Sequence, residues 1–79
     1  MNIKLTIKAC RINAGYTLVE ASDKLKINKS TLSKYENDST DISISLLNKI
    51  SDLYQMPKEF IFIGKKYELS RIIQNKQLV

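Results

Sequence analysis

The polar stretch of residues 29–37 holds the side chains best suited to bind another molecule. At about 100° per residue, a helix through this stretch would carry its lysines, two serines and an amide on one side. These residues are Lys29, Ser30, Ser33, Lys34 and Asn37. They offer positive charge and hydrogen-bond donors without a large apolar group, which suits the acceptors on base edges in a DNA major groove. The same face is equally typical of a helix surface in water, so the surrounding elements must decide.

The opposite side of residues 29–37 is suited to a protein interior. Leu32 and Tyr35 could join a hydrophobic core, whereas Glu36 carries a charge that needs a partner if it is buried. Arg11 has the matching need for a carboxylate, because it falls on an otherwise apolar helical stripe near the N-terminus.

The composition argues against catalysis and against a metal or cofactor site. The 79 residues, 43% of them apolar, suffice for one domain with a modest core. There is no histidine, one cysteine and only two glycines, so no His/Cys metal set and no glycine-rich phosphate loop can form. We therefore expect no enzyme activity, no cofactor or metal, and no small-molecule ligand.

The positive charge is concentrated at the two ends of the chain. The net charge of +5 includes seven basic and three acidic residues in residues 1–37, against two basic and four acidic in residues 38–64. A basic first half is expected of a nucleic-acid binder, although ordinary small domains also reach this total. Neither a membrane span nor a signal-peptide core is present, and the lone cysteine cannot form an internal disulfide, so a cytoplasmic protein is expected.

An apolar stripe predicts the first helix, over about residues 5–13. Its positions recur at helical spacing and are Ile3, Ile7, Cys10, Arg11 and Ala14. Gly15 is suited to end this helix in the left-handed conformation. Cys10 is expected to be a small core residue rather than a reactive thiol, because no motif activates it.

The next two predicted helices form a helix-turn-helix candidate. Thr17 and Glu20 match the capping box T-x-x-E, which opens a second helix over about residues 17–25. After about three residues the third helix spans residues 29–37, and Asn28 is placed to cap its free N–H groups.

The second half of the chain predicts further helices and no sheet. A fourth helix is expected over about residues 45–54, and Pro57 suits the first turn of a short fifth helix through about residue 62. This last stretch is strongly apolar, hence expected to be buried, through Phe60, Ile61 and Ile63. Residues 1–64 would form one all-α domain.

Residues 65–79 form a basic extension that could add a short C-terminal helix. The apolar stripe of this extension consists of Leu69, Ile72 and Ile73. The stripe would either pack on its own bundle or contribute to a dimer, and the sequence leaves both possibilities open.

Residues 7–62 resemble the lambda-repressor-like helix-turn-helix family of Cro/CI type, also called the xenobiotic-response-element family. The resemblance is distributed over four segments. Each segment alone is a weak signal of the family, but their order and spacing together are a strong one. The segments are Ile7-Lys8-x-Cys10-Arg11-x-x-x-Gly15, Thr17-x-x-Glu20, Asn28-Lys29-Ser30-Thr31-Leu32-Ser33-Lys34-Tyr35-Glu36-Asn37 and Leu47-x-x-Ile50-Ser51-x-x-Tyr54-x-Met56.

The resemblance implies a compact five-helix domain that binds double-stranded DNA with its third helix in the major groove. It also implies a structural ion pair between Arg11 and Glu36 that ties the first helix to the third. The implied base contacts are Lys29, Ser30, Ser33 and Lys34. The implied phosphate contacts are Thr17, Asn28, Asn37, Lys8 and Lys24.

The same resemblance implies a transcriptional regulator, in particular a short phage- or prophage-type repressor. One such helix reads few base pairs, so a homodimer on an operator with two half-sites is expected. The region around Phe60 and Ile63, or the stripe of the C-terminal extension, would supply the dimer contacts.

Four positions depart from the family pattern. Lys26 stands where a glycine is usual and must accept a strained backbone, Ser22 replaces a small apolar residue, and Leu18 replaces a polar residue that faces DNA. Asp38, with Asp41 nearby, brings negative charge where family members approach the DNA backbone. An alternative is therefore a protein-interaction module, antirepressor-like, that uses the helix-turn-helix scaffold to bind another regulator.

Overall fold

A computed structural model describes residues 4–65, and these residues form an all-α bundle. The elements are α1 (Ile7–Ala14), α2 (Leu18–Leu25), α3 (Lys29–Asn37), α4 (Ile44–Tyr54) and a 3-10 turn (Lys58–Phe60). The all-α prediction is confirmed for this range. The predicted C-terminal helix and the stripe of Leu69, Ile72 and Ile73 lie outside the described residues.

The predicted fifth helix is not confirmed, because within residues 4–65 the chain makes a single 3-10 turn after Pro57. Beyond this turn, Ile61 has extended backbone angles, φ −96° and ψ 123°. The β-branched and aromatic residues of 60–63 favour extended backbone, and extended partners are available. Leu5 N donates to Phe60 O at 2.7 Å, and Phe62 N donates to Leu5 O at 2.8 Å.

Pairing with this segment also explains why α1 begins later than the predicted residue 5. Leu5 lies in an isolated parallel bridge with Ile61, and Thr6 becomes the N-cap, its hydroxyl accepting from Ala9 N at 3.1 Å. At the other end, Gly15 adopts φ 85° and ends α1 in the left-handed conformation, as predicted.

The core lies where the four helices meet. Its buried apolar members come from every helix and from the extended segment, and they are Ile7, Cys10, Ala21, Leu25, Leu32, Ile50, Tyr54 and Ile61. Cys10 is fully buried, and burial raises the pKa of its thiol, so it is a core residue as predicted. Phe60 and Ile63, predicted to be buried, are 44% and 40% exposed, whereas Ile61 between them is 1% exposed.

A strap of residues 60–65 holds the two ends of the bundle together. Besides its bonds to Leu5, it reaches the loop after α3, where Ser39 N donates to Gly64 O at 3.0 Å. Asp38 and Lys65 form an isolated antiparallel bridge at the same place. The strap therefore links the entry of α1 to the exit of α3.

Candidate nucleic-acid interface

The helix-turn-helix begins with the predicted capping box on α2. Thr17 Oγ1 accepts from Glu20 N at 3.1 Å, and Glu20 Oε1 accepts from Thr17 N at 2.9 Å. The hydrogen bonds from Thr17 lower the pKa of Glu20. The negative charge of Glu20 therefore persists at the positive end of the α2 dipole.

The turn between α2 and α3 depends on a left-handed lysine. Lys26 has φ 59° and ψ 41°, and its N–H bonds back to α2. A glycine would adopt this conformation without strain, so Lys26 carries the backbone strain that its position predicts. Two residues later, Asn28 starts α3 with extended angles.

The outward face of α3 consists of the residues predicted to contact bases. Lys29, Ser30 and Lys34 are exposed, and Ser33 is half-buried. Lys34 Nζ lies 5.6 Å from the centroid of the Tyr35 ring, close enough for a cation–π contact. The face thus presents two ammonium groups and serine hydroxyls within one helix.

The inward face of α3 is anchored by Leu32 and by a buried ion pair. Leu32 has no exposed surface. Arg11 Nε donates to Glu36 Oε2 at 2.7 Å, and Arg11 Nη2 donates to Glu36 Oε1 at 3.3 Å. The hydrogen bond with Glu36 raises the pKa of Arg11. Arg11 Nη1 also donates to Tyr16 O at 3.0 Å, so this one side chain joins α1, the start of α2 and the end of α3.

The predicted phosphate contacts have different environments. Thr17 is exposed but uses its hydroxyl in the capping box, and Asn37 Nδ2 donates to Ser33 O at 3.0 Å. Lys8 is exposed on α1, and Lys24 Nζ lies 6.0 Å from the Tyr16 ring centroid.

The predicted side-chain cap of α3 is wrong. Asn28 occupies the N-cap position with suitable backbone angles, yet its side chain makes no capping hydrogen bond. The consequence is that the first N–H groups of α3 lack the side-chain acceptor that Asn28 was predicted to supply.

The structure also shows the surroundings of three residues that depart from the family pattern, Ser22, Leu18 and Asp38. Ser22 is buried, and its hydroxyl donates to Val19 O at 2.9 Å, which satisfies a polar group in the core. Leu18 is half-buried against the core. Asp38 Oδ1 accepts from Thr40 N at 3.0 Å and from the Thr40 hydroxyl, and these bonds lower the pKa of Asp38.

Two residues that the sequence did not single out as functional are conspicuous in the structure. Ser39 is 2% exposed and is bound to Gly64, 25 residues away. Tyr54 is 3% exposed, and within residues 4–65 its hydroxyl is the one buried side-chain polar atom without a hydrogen-bond partner. Burial is the main reason that the pKa of Tyr54 is raised to about 12. No local sequence signal marks either feature, because both depend on how distant segments pack together.

Residues 4–65 contain neither a metal-binding cluster nor a membrane-spanning helix. Within that range, no three side chains of the His, Cys, Asp and Glu types are grouped so that they could hold a metal ion. None of the described helices is long and apolar enough to cross a membrane.

Comparison with known proteins agrees with the geometry of α2 and α3. The helix-turn-helix family model matches residues 7–61. The HTH-type transcriptional regulator ImmR of Bacillus subtilis (strain 168) is 38% identical over 65 residues, covering 82% of this chain and 50% of that protein. The chain thus spans about half the length of the curated relative it matches. With more than half of its residues matched by the family model, the chain belongs to the lambda-repressor-like helix-turn-helix family.

Proposed function

We propose that this chain is a sequence-specific double-stranded DNA-binding transcriptional regulator, in particular a phage- or prophage-type repressor of Cro/CI type. The observation that carries the proposal is the two-sided construction of α3. Its exposed side presents Lys29, Ser30 and Lys34, while Leu32 and the Arg11–Glu36 ion pair hold the other side in the core. Similarity to ImmR, an HTH-type transcriptional regulator, supports the same conclusion.

In this proposal, α3 enters the major groove with its N-terminal end toward the bases. The ammonium groups of Lys29 and Lys34 donate to acceptors on guanine, and the hydroxyls of Ser30 and Ser33 pair with several bases. Phosphate contacts then fix the orientation of the protein on the duplex.

Residues at the margins of α2 and α3 would supply these phosphate contacts. The side-chain amide of Asn28 is not used as a cap, so it is available to a phosphate beside the N-terminus of α3. The other proposed contacts are Thr17, Asn37, Lys8 and Lys24.

A symmetric homodimer on two half-sites is part of the proposal, because a single reading helix covers few base pairs. Phe60 and Ile63, exposed on the strap, are apolar candidates for the contact between copies. Light scattering of the protein on DNA carrying one or two half-sites tests this. Two copies on the full operator are expected, and one copy on the full operator would contradict the dimer.

The direct test of DNA binding is a gel shift against the promoter region of its own gene, at low and moderate salt. A discrete complex is expected that survives competitor DNA and weakens steeply as salt is raised, since bound phosphates release counterions. Equal affinity for every DNA fragment, or no complex at low salt, would contradict a sequence-specific regulator.

Replacing Lys34 by alanine separates base reading from general electrostatic attraction. We expect Lys34→Ala to cost about 1–3 kcal/mol on the selected operator and to relax discrimination at one base position. Lys49→Ala, which removes an exposed lysine from α4, is the matched control and should leave discrimination unchanged. Selection of bound sequences from a random pool measures both variants. Equal loss on operator and random DNA would instead make Lys34 a phosphate contact.

The competing proposal is an antirepressor-like module that binds another regulator through the same scaffold. The fixed negative charge of Asp38 beside α3 is the observation that favours it. Under this alternative the chain shows no gel shift at either salt concentration, but it releases a second helix-turn-helix protein from that protein's operator.

A further inference from the structure

The C-terminal end of α3 is held from two directions. On one side, the carboxylate of Glu36 receives two hydrogen bonds from Arg11 on α1. On the other, the chain leaving α3 is bound to the strap of residues 60–65 at Ser39. The family pattern accounts for the first contact, whereas the proposed function does not yet use the second.

The contact between Ser39 and Gly64 consists of three hydrogen bonds. Ser39 N donates to Gly64 O at 3.0 Å, the Ser39 hydroxyl donates to the same oxygen at 3.2 Å, and Gly64 N donates to Ser39 Oγ at 2.9 Å. Ser39 is 2% exposed, so water competes little for these groups. Gly64 has φ 145°, a conformation that an L side chain rarely adopts.

The N-terminal end of α3 follows a turn bound to α2 through Ile27 N, which donates to Ser22 O at 3.1 Å, but it has no side-chain cap. Asn28 makes no side-chain cap, and Lys29 and Ser30 are exposed. The direction of α3 is therefore controlled by buried Leu32 and by the two attachments of its last turn. A nine-residue helix is about 13 Å long, so a tilt of about 5° at one end displaces the other by roughly 1 Å. Binding sites generally need side chains held within about 0.5 Å of their productive positions.

We infer that Ser39 is a positioning residue for the DNA-reading helix. By fixing the exit of α3 to Gly64, it sets where Lys29, Ser30 and Lys34 meet the base edges, without touching DNA itself. This inference rests on the proposed function, since it concerns how well that helix reads a sequence. It predicts that losing the contact lowers discrimination between operator and random DNA.

The test compares Ser39→Ala with Ser51→Ala in the full chain. Ser51 is a matched control, because its partly buried hydroxyl also donates to a carbonyl outside its helix, Met56 O at 2.6 Å, but at the far end of α4. Affinities for operator and random DNA are measured well below the melting temperature and corrected for the folded fraction from circular dichroism. We expect Ser39→Ala to lower operator affinity about three- to tenfold, less than the loss of a direct base contact, with random-DNA affinity unchanged. Ser51→Ala should change neither.

A second variant weakens the same contact while keeping the hydroxyl. Gly64→Ala strains the backbone at φ 145°, and it should reproduce the loss of discrimination. In both variants, amide hydrogen exchange should quicken at Asp38 N, which donates to Lys34 O in the last turn of α3, and not in α4. This readout does not require DNA.

The outcomes separate this inference from the proposed function. Loss of discrimination in both variants, but not in Ser51→Ala, supports the positioning role. An unchanged ratio of operator to random affinity in folded protein overturns it, as does an equal loss on both DNAs. If the unsubstituted chain itself prefers no DNA sequence, the proposed function is overturned instead.

Discussion

At the scale of single residues, mutation of the buried ion pair between Arg11 and Glu36 should destabilise the fold strongly. Both side chains are largely withdrawn from water, with exposures of 11% and 7%. Burying two charges is costly, and their mutual attraction offsets that cost only while the geometry is intact. Removing one partner leaves the other charge stranded.

We therefore expect Glu36→Ala to lower the free energy of unfolding by about 3–5 kcal/mol. Glu59→Ala, which removes an exposed acid from the 3-10 turn, is the control and should shift the melting temperature little. The double variant Arg11→Met with Glu36→Leu should recover part of the loss, but not all, because Arg11 also donates to Tyr16 O. Thermal melts followed by circular dichroism measure all three. If Glu36→Ala melts at the same temperature as the unsubstituted chain, this ion pair does not contribute to stability.

Asp38 is a second residue whose charge matters, this time for binding. Hydrogen bonds from Thr40 are the main reason that its pKa is lowered, with smaller contributions from the positive charges of Lys65 and Lys34. The carboxylate therefore stays ionised at neutral pH. In the proposed complex it would lie near the DNA backbone and repel it.

Asp38→Asn should accordingly raise affinity for operator and random DNA together and leave the preferred sequence unchanged. Asp52→Asn removes an exposed acid from α4 and controls for the change in net charge. Gel shifts at two salt concentrations test this, and the gain should shrink at high salt because the repulsion is screened. If Asp38→Asn weakened binding, the carboxylate would have to contact a base or a partner protein.

At the scale of elements, two of the helices end at a non-glycine residue in the strained left-handed conformation. Three of the four described helices end in this conformation, at Gly15, Lys26 and Gln55. Only the first of these residues adopts it without strain. Tertiary contacts of α2 with its neighbours must therefore hold Lys26 in place.

The same substitution should have opposite effects at two nearby lysines. Lys26→Gly is expected to stabilise the protein by up to about 1 kcal/mol, since it relieves a left-handed residue. Lys24→Gly lies within α2 and should destabilise by about 1 kcal/mol through lost helix propensity. Both variants lose one positive charge, so the comparison cancels the change in net charge. Urea unfolding measures both, and stabilisation by neither or by both would contradict the assignment of strain to Lys26.

The N-caps of the helices differ in whether their side chains make a capping hydrogen bond. Thr6, Thr17 and Ser43 each accept a hydrogen bond from a backbone N–H in the first turn, whereas the side chain of Asn28 does not. Side-chain caps typically contribute about 1 kcal/mol, so α3 lacks a local source of stability that the other three α-helices have. Its order then depends on Leu32, on Glu36 and on the attachment at Ser39.

At the scale of the whole molecule, Tyr54 is a core residue that interacts electrostatically with Arg11 and Glu36 of the buried ion pair. Its ring centroid lies 6.1 Å from that of Tyr16, and its hydroxyl is buried without a hydrogen-bond partner. Burial and the nearby charge of Glu36 raise the pKa of Tyr54 from 10.0 to about 12. The folded protein therefore keeps this proton at a pH where the unfolded chain has lost it.

Stability should fall as the pH rises from about 10 to about 12, because only the unfolded state releases the Tyr54 proton in that window. Tyr54→Phe should flatten this fall and should not destabilise the protein at pH 7, since it removes an unsatisfied buried hydroxyl. Tyr35→Phe is the control. Urea midpoints at pH 8 and pH 11 measure the difference between each variant and the unsubstituted chain. An equal fall in Tyr54→Phe would assign the alkaline loss to other groups.

Features that depend on neighbouring residues were predictable from the sequence. The capping box of Thr17 and Glu20, the stop at Gly15 and the bounds 29–37 of the third helix were all expected as they are found. Each involves residues within one or two helical turns, where type and spacing decide the conformation. Family resemblance added the Arg11–Glu36 contact, which spans 25 residues and has no local signal.

Features that depend on distant partners could not be predicted in this way. The stretch after Pro57 has a helical start signal, yet pairing with Leu5 draws residues 60–62 into extended backbone. Of the three residues predicted to be buried there, Ile61 is buried and Phe60 and Ile63 are exposed. A hydrophobic run indicates that some of its residues are buried. Whether the backbone is helical or extended then decides which of them face the core.

The amino-acid sequence by itself determined the helices of the first half and the polar character of the outward face of α3, because both arise from residue types at short spacing. Only the tertiary structure decided how the exit of α3 is held, through the contact of Ser39 with Gly64. The physical reason is that a buried polar group is stable only when a partner meets it. The chain brings such partners together from 25 residues apart only when the whole bundle has formed.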